Sequence, residues 1–512
     1  MDARSFISGI DECTTPFAKK YFSREMMEQY QPLQDAMQNV IETDGKDDAA
    51  WKEFETHFKL YQSFDVFSKW DGKRYDIVMY GVSGYTGYLM MEYVKRVSLK
   101  VNPETFTMAF AGRTASKVAA LRDKEFKGTR WADTPVLRAT FDDIVSMADL
   151  ARSARCIINV AGPYMLTEGE IMIDACCHMG THYCDISGEI PWSLRTLELN
   201  NKAKEKGVFI VPSAASAGGY ADFNVYMMAK KMRKDHGEEL RYAEGYATGG
   251  GAPASASGGT LKTRAAMANA GDEVRLKMGD PFSLGGFIPD RDRNGIKVVE
   301  VEFGTGKVTV KQRAEERDAN MARVTENKKL GVWRGPYVYQ YFDTRIVRRA
   351  NAMLADLGNC PYGRQLNYLE YGLLTSDIVS NMKAGGVKRA NVADEAEALK
   401  AAGKYYGEGE GPPLEDLDDA WIGNFGWAQS TGGHEIKCGF VGRDGYFETA
   451  RVAVETAMAL VFDREKLEFK GGVAPPTVAA GTHVIKRIID TGHKFQMGDW
   501  PPQSEWSPPP YP

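Results

Sequence analysis

Seven residues constrain this chain more than any others: the run GVSGYTG at 81–87, with Gly81, Gly84 and Gly87. It follows a short apolar run, Tyr75–Tyr80 (YDIVMY). It opens a stretch in which Leu89, Met90, Tyr93, Val94 and Val97 share one helical face. A strand that turns on glycines into a helix suits a nucleotide, and that context lifts the run above a chance glycine triplet. The first glycine permits a tight turn, the second lets the backbone approach a pyrophosphate, and the third allows close helix–strand packing. The helix N-terminus adds free N–H groups and the positive end of its dipole. Ser83, Tyr85 and Thr86, between the glycines, are assigned to the same site. The spacing is GxxGxxG rather than GxGxxG, so a plain structural turn is the competing reading.

The pattern continues in the same rhythm. Phe106–Ala111, Val136–Thr140, Arg155–Val160, Thr181–Ile186 and Val208–Val211 read as strands, with helical stretches such as Ala115–Asp123 between them. Repeated strand–helix–strand order predicts a parallel sheet covered on both faces. After residue 219 the rhythm changes. The runs Lys297–Phe303 and Lys307–Gln312, linked by Gly-rich turns, predict a mixed sheet. The expected fold is α/β, with a Rossmann dinucleotide-binding domain, a mixed-sheet α+β second domain and a helical N-terminal extension. Its boundaries are 1–74 for the extension, 75–218 for the Rossmann domain and 219–450 for the substrate domain. Residues 451–497 should form C-terminal helices packing back on the body, with a last helix at His483–Thr491, and 498–512 a Pro-rich tail. A length of 512 residues fits two or three such domains.

The end of the second strand selects the nucleotide. NAD-binding proteins place an Asp or Glu there for the ribose 2′-hydroxyl. Here AGRTASK (111–117) offers Arg113 and Lys117. A carboxylate would repel a 2′-phosphate, whereas a guanidinium holds it by two charge-assisted bonds. NADP(H) is therefore the expected cofactor, against the reading that both cations are merely solvated. In NVAGPY (159–164), Ala161, Gly162 and Pro163 form a small-residue turn at the carboxyl edge of the sheet, beside the expected cofactor.

Hydride transfer is the cofactor's chemistry; the protein must place the acceptor carbon and supply a proton or charge stabilisation. Tyr164, Asp185 and Glu189 are the catalytic candidates. Tyr164 is the first polar group beyond the turn and could protonate an enolate, or pack on the nicotinamide. Asp185 and Glu189, with Ser187, stand in CDISGE (184–189), where a carboxylate could orient substrate or act as general acid. Alternatively, Asp185 and Ser187 cap the helix that Pro191 helps to begin. His178, His182, Cys177 and Cys184 match no metal-ligand spacing, and no metal is expected. Arg348 and Arg349 could face an anionic substrate or a membrane, or form a solvated face.

A net charge of −5 gives no field for nucleic acid. Seven cysteines without a CxxC pair favour a reducing intracellular compartment, cytoplasmic or peripherally membrane-associated. The N-terminus has no basic and apolar leader pattern. The longest apolar candidate, Thr449–Phe462, contains Arg451 and Glu455 and reads as a buried helix. Trp51, Phe54, Phe58, Tyr61, Phe64 and Phe67 make the extension too apolar for a solvated tail. It is a bracket on the body, or a surface for a homo-oligomer or assembly partner. The tail WPPQSEWSPPPYP is extended, either packed or free for an SH3 or WW module.

Together these motifs resemble the saccharopine dehydrogenase-like oxidoreductase family, including its trans-acting enoyl reductase branch. The matching runs are GVSGYTG, AGR (111–113), NVAGPY, CDISGE, SGGT (257–260), IVRRANAML (346–354), GEGP (409–412), GYFETARVAVETA (445–457) and GGVAPPTVAAG (471–481). The resemblance spans about 75 to 497 and implies a Rossmann domain followed by a mixed-sheet domain. It also implies reduction of lipid-like enoyl groups. One departure falls at 213–222, SAASAGGYAD, where the family's Phe-Asp pair is lost and Ala221-Asp222 is kept. The expected function is NADP(H)-dependent reduction of a C=C, or secondarily a C=N or C=O, bond of a small or lipid-derived substrate. Peripheral membrane or lipid-droplet contact goes with that reading. The alternative is a catalytically idle Rossmann protein that scaffolds an assembly.

Overall fold

The computed structural model describes residues 75–98, 106–251, 256–288, 321–358, 361–380 without 377, 392–510, the backbone of 296–303 and 306–313, and parts of 35–57. Six strands follow the glycine-run pattern: β1 (Tyr75–Tyr80), β2 (Met108–Gly112), β3 (Val136–Arg138), β4 (Ala154–Asn159), β5 (His182–Asp185) and β6 (Phe209–Val211). They pair in parallel in the order β3-β2-β1-β4-β5-β6. β1 holds the centre because both its faces are apolar. Ile77 and Met79 enter one core cluster, Val78 and Tyr80 the other. Strand order reverses at β1/β4, the switch point beyond which ligands sit in open α/β sheets.

The second sheet draws on β7 (Leu240–Gly250) and on strands from the last two-fifths of the chain. β8 (Ile296–Phe303) and β9 (Gly306–Arg313) pair only with each other, as a separate antiparallel hairpin rather than as members of the expected mixed sheet. Then come β10 (Thr325–Asn327), β11 (Val332–Gly335), β12 (Asn367–Leu374), β13 (Trp421–Ser430), β14 (Glu435–Arg443), β15 (Gly472–Val473) and β16 (Lys494–Met497). The mixed sheet runs β10-β11-β12-β7-β13-β14-β16, with β7/β12 its one parallel pair. β15 leaves this domain and pairs in parallel with β6, adding a seventh strand to the Rossmann sheet.

The helix Gly445–Phe462 lies between the two halves. Its Phe447 ring meets Tyr93 of the helix Tyr85–Tyr93 at 5.6 Å, and its Thr449 hydroxyl is 2.8 Å from that of Ser216. The Cys184 thiol on β5 donates to the Ala453 carbonyl at 3.8 Å. Its buried Glu448 and Arg451 are paired with each other and with groups on other segments. Arg451 donates to Glu448, which also accepts from Tyr220 at 2.7 Å and from the Arg443 N–H at 2.9 Å and lies 2.8 Å from His493 Nδ1. Burial alone would raise the Glu448 carboxyl, but the Arg451 charge and the contact with His493 hold it well below the usual range. Among the described residues no helix is long and apolar enough to cross a membrane.

Arg348 and Arg349 form no solvated face. Arg348 is buried and donates to the Pro281 and Tyr368 carbonyls at 3.0 and 3.2 Å. Arg349 donates to the Leu284 and Val473 carbonyls at 3.1 and 2.7 Å, tying the helix Gln340–Asp356 to β15. Their helix runs between the two halves, so backbone carbonyls replace water as acceptors. The last long helix spans Pro476–Asp490, starting before His483 and kinked at Gly481. Within the tail, Trp506 stacks on Phe425 at 5.2 Å and Trp500 Nε1 donates to the Gly426 carbonyl at 3.1 Å. In the extension Phe54 is buried against Trp51, while Phe58, Tyr61, Phe64 and Phe67 lie outside the described residues.

Asp222 anchors the helix Ser216–His236 to two later segments, accepting from the hydroxyls of Tyr362, at 2.8 Å, and Thr477. Burial pushes its carboxyl up to about 7, and likewise that of Glu455, which accepts from Tyr93. A group whose folded pKa is raised stabilises most below its unfolded value and loses that contribution as pH rises to the folded one. Unfolding free energies from urea titrations should therefore fall between pH 5 and pH 7, by roughly 1–3 kcal/mol per group, and the midpoints with them. Asp222→Asn should flatten the decline, leaving the Glu455 share. A midpoint as pH-dependent in this variant as in the wild type would contradict that assignment.

Candidate dinucleotide and substrate site

The carboxyl ends of β1 to β5 open into one cavity of about 1610 Å³, closed on its far side by the second domain. That exceeds the roughly 300–1,000 Å³ of a single-ligand pocket, leaving room for a dinucleotide and a second ligand. Gly81 turns the chain out of β1 with φ +92°, and a Cβ there would lie 2.9 Å from the Ala161 nitrogen. Its carbonyl accepts from the Gly84 N–H at 3.0 Å. No side chain caps Gly84, so the first N–H groups of the helix Tyr85–Tyr93 face the cavity mouth uncapped. This cradle fits a pyrophosphate, and the bound group would supply a transferable hydride.

Of the residues assigned to the cofactor, Gly81, Ser83, Gly84, Tyr85, Thr86, Arg113, Lys117, Ala161 and Gly162 line this cavity. Gly87 and Pro163 do not. Gly87 acts from behind, since a Cβ there would lie 2.4 Å from Val82 Cα and 2.6 Å from the Gly81 carbonyl oxygen. Arg113 and Lys117 are exposed beside Thr114 and Asp142 at the β2/β3 end, the end that receives adenosine ribose in this topology. Tyr85 also contacts a later loop. Its hydroxyl donates to the Pro412 carbonyl at 2.8 Å, and a Cβ at Gly411 would lie 2.6 Å from its ring. The GEGP loop is thus seated on the first helix of the Rossmann domain.

The three catalytic candidates are placed less as expected. Asp185 is fully buried and absent from the cavity lining. It accepts from Trp192 Nε1 at 2.7 Å, the Tyr183 hydroxyl at 2.9 Å, and the N–H groups of Ser187 and Ser213 at 2.9 and 3.0 Å. It neither reaches substrate nor caps the helix Ile190–Glu198, whose N-cap is Glu189 without a side-chain bond. Instead it holds the turns after β5 and β6 in place, including the departing SAASAGG segment. Burial raises its carboxyl, and these four donors oppose the rise.

Tyr164 borders the cavity, but its hydroxyl donates to the Asn159 carbonyl at 2.8 Å and its ring stacks on Trp192 at 5.6 Å. Its proton is committed to the main chain. Glu189 also borders the cavity. Its two oxygens accept from the N–H groups of Tyr164 and Met165 at 3.0 and 2.6 Å, with Thr263 at 3.3 Å. Burial raises its carboxyl and those N–H groups pull it back. Both residues shape the wall. His178 lies 3.5 Å from Asp174, and His182 Nδ1 accepts from the Phe209 N–H at 3.1 Å.

Sequence reasoning missed the second-domain wall. Arg264 and Thr260 on the helix Gly258–Ala268, Tyr339, Asn424 and Tyr446 all reach the cavity. Tyr446 takes the Ser257 N–H at 2.7 Å and lies 3.1 Å from Thr260 Oγ1. The signals that could have found it are the runs SGGT (257–260) and GYFETARVAVETA (445–457), which hold Thr260 and Tyr446, and the tyrosine-rich run PYVYQY at 336–341. Gly87→Ala should misplace the glycine turn from behind. We expect a stability loss of about 1–3 kcal/mol and weakened dinucleotide binding, read by thermal unfolding and calorimetry. Wild-type values in both measurements would refute the close-packing role.

Comparison with known proteins places this geometry in context. No family model matches the chain. A trans-acting enoyl reductase of Mycobacterium tuberculosis (strain ATCC 25618 / H37Rv) is 25% identical over 443 residues, covering 82% of this chain and 97% of that protein. One of Mycobacterium ulcerans (strain Agy99) is 26% identical over 439 residues, with the same coverage. Among solved structures, saccharopine dehydrogenase (L-Glu forming) of Saccharomyces cerevisiae aligns with a TM-score of 0.44 at 12% identity, over 83% of this chain and all of that one. Homospermidine synthase of Legionella pneumophila, in complex with NAD, aligns at 0.44 and 10%, over 84% and 93%. By its motifs the chain resembles the saccharopine dehydrogenase-like family, and over four-fifths of its length it is similar to the trans-acting enoyl reductases.

Proposed function

We propose that this protein is an NADP(H)-dependent oxidoreductase that reduces the C=C bond of an enoyl substrate, small or lipid-derived. The observation that carries the reading is the single cavity that joins the glycine cradle and Arg113 to a second-domain wall. The pyrophosphate would lie on Gly81 and the N-terminus of Tyr85–Tyr93, the 2′-phosphate at Arg113 and Lys117, and the nicotinamide near Ala161 and Gly162. Exposed Leu166 and Val338 line the mouth, supporting an apolar chain that enters from solvent. The names of the enoyl reductase relatives support the C=C bond over C=N or C=O.

Arg113 makes no ion pair among the described residues and so stands available for a phosphate. A hydrogen bond to a charged group is worth roughly 1.5–3 kcal/mol. Arg113→Ala should therefore weaken NADPH binding about 10- to 100-fold and change NADH affinity little. Calorimetric titration of both dinucleotides into both proteins tests this. Equal wild-type affinities for NADH and NADPH, or equal losses in the variant, would overturn the assignment.

A further inference from the structure

The reduction leaves a proton to be delivered, and none of the three sequence candidates has one to give. Asp185 is sealed away, Tyr164 is bonded to a carbonyl, and Glu189 is held by main-chain N–H groups. The opposite wall offers a different set. Tyr339 lies against the turn after β5, where a Cβ at Gly188 would be 3.7 Å from its ring. That turn belongs to the nicotinamide end of the sheet, away from the β2/β3 adenosine end. Arg264, on the helix Gly258–Ala268, sits beside the Tyr339 phenol, and a side-chain hydrogen bond links the two. Among the described residues nothing accepts a hydrogen bond from the Tyr339 hydroxyl. In the same turn Ser187 borders the cavity, and its buried hydroxyl has no hydrogen-bond partner among the described residues. An unpartnered buried hydroxyl costs free energy unless a ligand satisfies it.

We infer that Tyr339 is the proton donor and that Arg264, with Ser187, binds the carbonyl oxygen of an α,β-unsaturated carbonyl substrate, such as an enoyl thioester. This rests on the reading of the chain as an enoyl reductase. When bound in its reduced form, the nicotinamide dinucleotide would supply a hydride to the substrate's β-carbon, the π electron pair moving onto the carbonyl oxygen. Arg264 and Ser187 stabilise that oxygen by charge and hydrogen bonding. As the C=O bond re-forms, the α-carbon takes the Tyr339 proton. The tyrosinate is balanced by Arg264 and regains a proton from water entering at the mouth. Burial keeps the Tyr339 phenol protonated until that moment, while the Arg264 charge eases its loss. The cation also explains why a tyrosine serves where a carboxylic acid would form a permanent ion pair with it.

Crotonyl-pantetheine, a short enoyl thioester, is the probe. Its affinity is measured by calorimetry without cofactor, and its reduction by NADPH oxidation. Tyr339→Phe should lower kcat about 100-fold or more, with probe affinity within about threefold of wild type. Arg264→Gln should weaken probe binding about tenfold or more, and Arg264→Lys should restore part of it. Tyr339→Phe with wild-type kcat, or Arg264→Gln with wild-type affinity, would overturn the inference. If wild type binds the probe but oxidises no NADPH with it, the enoyl reductase reading fails. The affinity arm still decides the carbonyl site in that case. No binding of the probe to wild type overturns both.

Discussion

The fold depends on one buried helix. Gly445–Phe462 is apolar enough to fill the space between two seven-stranded sheets, yet it carries Glu448, Arg451 and Glu455 in fully buried positions. Those charges survive because each finds partners on other segments, Tyr220 and His493 for Glu448, Tyr93 for Glu455. A buried pair contributes little net stability, but removing one partner strands the other. The network therefore specifies how the helix is rotated more than it strengthens the fold. The rotation places Tyr446 on the cavity wall and Phe447 against Tyr93.

From that helix the two halves cease to be separable. The chain completes the Rossmann core only when the last third returns, with Ala453 on β5, β15 beside β6 and Arg349 closing on Val473. The cavity inherits this construction. Its cofactor side is built from residues up to 190, its opposite wall from residues 247 onward, and Ala215–Ala217 and Tyr220 lie between them in the chain. Preorganisation of such a site comes from packing between distant segments, so the groups facing a substrate are held by elements that never touch it.

The sequence made part of this legible and left part hidden, for physical reasons. Strands buried on both faces announce themselves as continuous apolar runs, so the parallel sheet and its order of elements could be read from Ile77, Val78, Ile157 and Ile158 alone. Glycines needed for backbone geometry were equally visible. β15 was not, because two residues carry no periodicity, and the β8–β9 run looked like sheet strands because a hairpin shares their pattern. Side-chain roles were the least legible. Asp185 and Tyr164 have the chemistry of catalysts, and only the positions of Trp192, Ser213 and the Asn159 carbonyl reveal that their polar atoms are spent on structure. Arg348 and Arg349 misled for the opposite reason, since buried carbonyls can replace water around a guanidinium. The pairing of Tyr339 with Arg264 was invisible because no local pattern joins residues on separate segments.

The seating of Tyr85 on the GEGP loop carries a consequence for how such a protein can diversify. The tyrosine and its Pro412 acceptor are 327 residues apart, and the space beside Gly411 is filled by its ring. Any recombination between divergent relatives with a crossover in that interval would deliver a tyrosine without its socket, or a socket without its tyrosine. The two positions must therefore be inherited together. The Rossmann half here is consequently not a portable module: a lineage that borrowed a new nucleotide-binding segment would have to import the loop at 409–412, the helix at 445–462 and the strand at 472–473 with it.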